Sequence, residues 1–227
     1  MTRSHRWPAR IGRPLAGLGV AAGLVVALTW STTSAAFTSQ TGDAGNKVTS
    51  AATFCTSPGS TQLPVAMDTA VYQVNAGTNY GATTGIGIGT GVNANAYSYL
   101  KFTLTSAVIP ARCRVTSATL SVYATTPTAG ATLYAYRADA AWNSATTTWN
   151  TGRPGFTGTP AGTASLASAG WQQWDVTTLT RELYAGPDYG FALKDSVDSA
   201  ASARYQTWAS MENATVANRP RLDITWG

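Results

Sequence analysis

The sequence predicts an all-β protein, an antiparallel β-sandwich of jelly-roll type with about nine strands, and three observations predict it. Apolar residues fall at every second position in Leu100, Phe102 and Leu104, in Ala118, Leu120, Val122 and Ala124, and in Leu222, Ile224 and Trp226. That is the period of a strand with one buried face. Turn formers separate such runs, as at Pro110 and in the stretch from Asn75 to Gly81, where residues that tolerate positive φ gather. Charged side chains make up only 11% of the chain, against about 25% in an ordinary domain. Gly, Thr, Ser and Ala fill their place, a composition suited to short strands and turns rather than helices.

In chain order, residues 1–36 read as an export signal. Arg3, Arg6, Arg10 and Arg13 precede an apolar run over residues 15–30, which is followed by the small residues Ser34, Ala35 and Ala36. Left uncleaved, the run would tether the protein to a membrane, but it is shorter than the ~20 residues a span needs, so cleavage is expected. Taking these four arginines from the 15 basic side chains leaves one cation more than the 10 acids. The high pI therefore belongs to the leader, and nucleic acid is not an expected partner. Export places the mature chain outside the cell, secreted or at the cell surface. In that oxidising setting Cys55 and Cys113 read as one disulfide, which adds ~4 kcal/mol in the chain-entropy model; two free thiols are the other reading. Residues 37–60 read as a polar linker.

The β domain is expected over residues 61–227, organised around residues 97–123. Residues 65–74 form a first strand, and Ile86 and Ile88 alternate with glycines in a thin second one. The strands of Leu100 and Ala118 flank the break at Pro110, with Cys113 at the head of the second. Residues 131–136 make another strand, and residues 138–160 a long irregular connection holding Trp142, Trp149 and Phe156. Connections of that length are functional or are anchored by their own aromatics. Residues 171–177 return to strand, and residues 178–184 make one or two helical turns stopped by Gly186 and Pro187. Strands at 189–194, 204–208 and 221–226 complete the set.

The only histidine, His5, is in the leader, so the mature domain lacks the imidazole of a Ser-His-Asp or Cys-His site and of His-ligated zinc or iron. Two-carboxylate hydrolysis needs only two acids ~5 to 10 Å apart. Asp139, Asp175, Glu182, Asp188 and Glu212 are available, but none forms a local motif. Six tryptophans follow the leader: Trp142, Trp149, Trp171, Trp174, Trp208 and Trp226. Trp174 and Trp226 alternate with strand residues and are expected in the core. Trp142, Trp149 and Trp171 sit in or beside the long connection and are the candidates for stacking on a sugar face, with anchoring of the loop as the alternative role. Asp195 and Asp198 are candidate oxygen ligands for a structural calcium, or plain turn carboxylates. No cofactor is required.

Two resemblances extend this reading. Asn79-Tyr80-Gly81, Tyr99 to Phe102, Ile109-Pro110, Val115 to Leu120, Trp142 with Thr148-Trp149-Asn150, Trp174 to Thr177, Tyr189-Gly190-Phe191 and Pro220-Arg221-Leu222 follow one another. This order resembles the DNRLRE domain family, which includes the family 96 carbohydrate-binding modules, over about residues 61–227. The resemblance implies a jelly-roll sandwich on secreted or surface proteins, non-catalytic and binding polysaccharide or glycan. The chain departs from the family pattern at Ser98 or Tyr99, at Ser144 and at Met211 before Glu212, where the family usually carries charge. Separately, Ala36, Phe37 and Thr38 followed by Gly45 and Asn46 resemble the mature N-terminus of camelysin and biofilm-matrix fibre proteins. That implies cleavage near Ala36 by a specialised signal peptidase. The expectation is a secreted carbohydrate-binding module acting by aromatic stacking. A structural or adhesive matrix protein is the second reading, with residues 37–54 assembling by strand addition. A glycosidase or polysaccharide lyase is the third.

Overall fold

The computed structural model describes residues 54–227; the expected leader and the linker up to residue 53 lie outside the described residues. Eleven strands and one α-helix follow one another: β1 (Gly59–Pro64), β2 (Met67–Tyr72), β3 (Gly85–Thr90), β4 (Ala96–Lys101), β5 (Val115–Thr126), β6 (Thr132–Ala138), β7 (Phe156–Ala164), β8 (Gly170–Asp175), α1 (Thr177–Ala185), β9 (Phe191–Asp195), β10 (Arg204–Ala209) and β11 (Arg221–Trp226). Every strand pair is antiparallel.

The strands form two leaves. The first runs β2-β4-β9-β6-β7. The second is built on the 12-residue β5, which pairs with β8 along one edge and with both β11 and β10 along the other. Outside these lie β1, paired to β11, and β3, paired to β10. A single backbone pairing, Gly89 with Ala96, joins the leaves.

Alternation along each strand fills the space between the leaves. Ala70, Leu100, Leu133, Ala135, Phe191 and Leu193 of the first leaf share one buried cluster with Ile86, Ile88, Leu120, Val122, Trp174, Trp208, Leu222 and Ile224 of the second. Trp174 and Trp208 lie with ring centroids 5.5 Å apart, and the Trp174 indole donates across the sandwich to the Leu133 carbonyl at 3.2 Å. Burying one such ring removes about 200 Å² from water, worth roughly 5 kcal/mol at 25 cal/mol per Å². Helix α1 closes one end by burying Leu179 and Leu183. Cys55 and Cys113 form the expected disulfide, tying the entry to β1 to the head of β5.

Several expectations need correction. The first strand is β1, whose sequence GSTQLP holds one large apolar side chain, and the expected strand over residues 65–74 is the shorter β2. The end of the expected irregular connection is β7, also largely exposed. These two strands raise the count from nine to eleven. The strand at Leu100 is not half-buried. Tyr97, Ser98, Tyr99 and Leu100 are all buried, because a loop over residues 139–155 covers the outer face of the first leaf there. Trp226 is only partly buried; its ring lies over Gly59 and donates to the Ser57 carbonyl at 2.9 Å.

Candidate functional site

The outer face of the first leaf carries an aromatic row. On β4 the inward Leu100 leaves Tyr97 and Tyr99 outward, and on β6 the inward Leu133 and Ala135 leave Tyr134 and Tyr136 outward. β7 brings Phe156 beside Ala138. The ring centroids run Tyr134 to Tyr136 at 6.0 Å, Tyr136 to Phe156 at 5.5 Å, Phe156 to Tyr97 at 4.9 Å and Tyr97 to Trp149 at 5.0 Å. Tyr134 rests on the backbone of β7 at Gly162, where a Cβ would come within 2.8 Å of its ring.

Two cations border the row. The Arg153 guanidinium is 4.4 Å from the Trp149 ring centroid and 5.6 Å from that of Tyr97. With the two rings 5.0 Å apart, these separations form a compact triangle, so Trp149 is not sandwiched between its neighbours. Lys194, outward on β9, holds its ammonium 5.4 Å from Phe156 and 5.6 Å from Tyr97. It pairs with Asp198, which also accepts the Tyr97 hydroxyl at 3.0 Å. Burial, reinforced by the Asp198 charge, pushes the Tyr97 hydroxyl up. Burial likewise raises Tyr99 and Tyr136. These phenols stay neutral hydrogen-bonding groups and are poor candidates for a base.

The covering loop is held from several sides. Trp142 donates its indole N–H to the Tyr189 carbonyl at 2.7 Å, and the Tyr99 hydroxyl donates to the Pro154 carbonyl at 2.7 Å. Asn79 donates to the carbonyls of Ser144 and Thr147 at 2.7 and 2.8 Å. The turn bearing Asn79 comes so close that a Cβ at Gly81 would lie 1.9 Å from the Ser144 oxygen, which accounts for Asn-Tyr-Gly at this point.

The structure thus gathers Trp142 and Trp149 on one face, Trp142 as an anchor 5.7 Å from Tyr99 and Trp149 within the row. Trp171 is elsewhere. It points outward from β8 on the opposite face of the sandwich, its edge against Tyr123 at 5.5 Å and its ring under the Arg221 guanidinium at 3.9 Å. Around it the outer face of the second leaf is polar: Gln62 donates to Asp223 at 2.7 Å and Gln173 to Ser121 at 3.3 Å. A shallow groove of ≈ 460 Å³ runs beside them between Ser60, Gln62, Thr119 and Asp223.

Asp195 and Asp198 each face a cation of the chain. Both Asp195 oxygens accept from Arg204 at 2.7 Å, and one also takes the Val197 N–H at 3.0 Å; Asp198 is engaged by Lys194 and Tyr97. Four of the five candidate catalytic acids serve local structure: Asp139 accepts the Gly155 N–H, Asp175 the Thr177 N–H and hydroxyl, Asp188 the Gly190 N–H, and Glu182 pairs with Arg137 at 2.8 Å. The fifth, Glu212, stands against Asp68.

Sequence reasoning missed Tyr134, Tyr136, Arg153 and Lys194, and it named Phe156 only as an aromatic of the long connection. The signal for the two tyrosines was their alternation with Leu133 and Ala135; Phe156 and Lys194 are brought near only by the register of β7 and β9 on β6, and Arg153 arrives on the covering loop.

No curated protein matches the chain. The family model described as carbohydrate-binding module family 96 matches residues 59–226, from the first residue of β1 to the last of β11. A match across both leaves and well over half of the 227 residues settles the kinship: the chain belongs to carbohydrate-binding module family 96.

Proposed function

We propose that the protein is an exported, non-catalytic module that holds a polysaccharide or glycan against the outer face of its first leaf. The observation that carries this reading is the unbroken row of five rings from Tyr134 to Trp149, edged by Arg153 and Lys194. A sugar ring presents an apolar C–H face and a polar rim. Tyr134, Tyr136 and Trp149, all half-buried, supply broad surfaces at little entropic cost, while the tyrosine hydroxyls and the two cations supply directed hydrogen bonds to hydroxyl or acidic groups. A rigid sheet fixes the spacing of the rings before binding. Family membership supports the ligand class, and the disulfide together with the leader pattern supports an extracellular setting. The dispersal of the carboxylates and the raised tyrosines support a role in binding rather than turnover.

The test is affinity electrophoresis of the purified protein across a polysaccharide panel, followed by variants. Trp149→Ala and Tyr136→Ala are expected to weaken retention by about tenfold each, the scale of a binding hot spot, while Trp171→Ala leaves it intact. Loss of binding in Trp171→Ala alone would move the site to the second leaf, and no retention on any polysaccharide would overturn the reading.

A further inference from the structure

Asp68 is only 1% exposed, on the inward side of β2 one position pair from the core residue Ala70. One of its oxygens, Oδ2, accepts the Met211 N–H at 2.7 Å. The other, Oδ1, is buried and receives no N–H or O–H from a donor group, nor does Oε2 of Glu212, so at these atoms the two carboxylates meet only each other. The Glu212 carboxylate faces Asp68, and among the described residues burial, the Met211 N–H and Glu212 account for its environment, with no cation beside it.

Other acids of the fold meet a cation or a second donor where this pair meets another carboxylate. Asp195 has Arg204, Asp198 has Lys194 and Glu182 has Arg137. Two like charges facing each other out of water are costly unless something positive joins them. The pair is also held in place. Ser210 donates its hydroxyl to the Thr83 carbonyl at 2.6 Å and accepts the Glu212 N–H at 3.1 Å. Asn213 donates to the Thr84 carbonyl at 3.2 Å, and Arg219 to the Asn213 carbonyl at 3.0 Å. The turn after β10 is therefore clamped, and the Glu212 carboxylate is delivered to Asp68 from a position 144 residues away in the chain.

We propose that Asp68 and Glu212 bind a divalent cation of the calcium class, which fastens the connection after β10 to β2. The donors are carboxylate oxygens from rigid backbone. With no imidazole or free thiol among the described residues, the chemistry selects a hard ion over zinc or copper. Calcium takes six to eight oxygens, of which two carboxylates supply up to four, and extracellular sites bind at about 10⁻⁴ to 10⁻³ M. The competing occupant is a proton shared between the two groups; burial and the facing Glu212 push Asp68 up to about 7, so protonation is the state to which the apo pair falls back.

Calorimetric titration and thermal melts of the chelator-treated protein at pH 7.5 separate the two. Calcium chloride is expected to bind one to one and to raise Tm by roughly 5 °C at 10 mM, and both effects are lost in Glu212→Gln and Asp68→Asn. Should Asp68→Asn fail to fold, Glu212→Gln decides, and the titration of the unaltered protein needs no variant. No calcium uptake, with stability that instead falls as pH rises from about 4 to 7, would identify a shared proton and overturn the proposal. A calcium response that survives in both variants would place the ion elsewhere and overturn it equally.

Discussion

Asp175 shows what one residue can decide. Its Oδ1 accepts both the N–H of Thr177 at 3.0 Å and the hydroxyl of Thr177 at 2.6 Å, and Thr177 in turn accepts the Ala118 N–H at 2.9 Å. One carboxylate thereby starts α1 and ties that start to the central strand β5. These bonds favour the charged form, so the Thr177 hydrogen bonds hold Asp175 below its ordinary 3.8. The native state binds this proton less readily than the unfolded chain. The contribution is therefore present above the ordinary value and is lost as pH falls through the lowered one. Asp175→Ala should cost about 1 kcal/mol, the usual net worth of an intramolecular hydrogen bond, read as a lower urea midpoint at pH 7. The difference from the unaltered protein should shrink as the pH is taken below 3.8.

Among the elements, the clearest in the sequence were β5 and β11, because each faces the core on one side and solvent on the other, so apolar residues alternate. β4 broke that rule through its second cover: Tyr97 and Tyr99 lie beneath the loop that carries Trp142 and Trp149, and a local window cannot see a loop arriving from 40 residues downstream. β1 and β7 escaped notice for the opposite reason. Each pairs with one neighbour only and exposes much of its length, so Ser, Thr, Gln and Gly satisfy them and no apolar period appears. Of the aromatic row, Trp149 and Phe156 were visible as aromatics of the long connection, whereas their meeting with Tyr97, Tyr134 and Tyr136 depends on strand register. The disulfide was legible from compartment and spacing, and it acts at this same scale. It holds β1, a polar strand at the edge of its leaf, against the head of β5. Replacing both Cys55 and Cys113 by Ser should remove about 4 kcal/mol, seen as a lower denaturation midpoint. Glycan retention should persist in the protein that remains folded, since the first leaf lies away from the bridge.

At the scale of the whole molecule, the sandwich presents two unlike outer surfaces. One carries an aromatic row that ends on a pinned loop, the other is a polar sheet with Trp171 beneath Arg221. Large apolar side chains from both leaves fill the space between them, and it is in their outward residues that the two leaves differ. The pairing of Gly59 with Trp226 has a further consequence. The first and last strands lie side by side, so the fold is topologically close to a ring whose opening falls at one point on its rim. A short Gly-Ser link from residue 227 to residue 54, with new termini cut in the exposed turn at Gly130, should leave a circularly permuted protein with the same thermal transition. By the same reasoning the module can be spliced into a surface loop of another protein as a self-contained bead, its two points of attachment no farther apart than neighbouring strands.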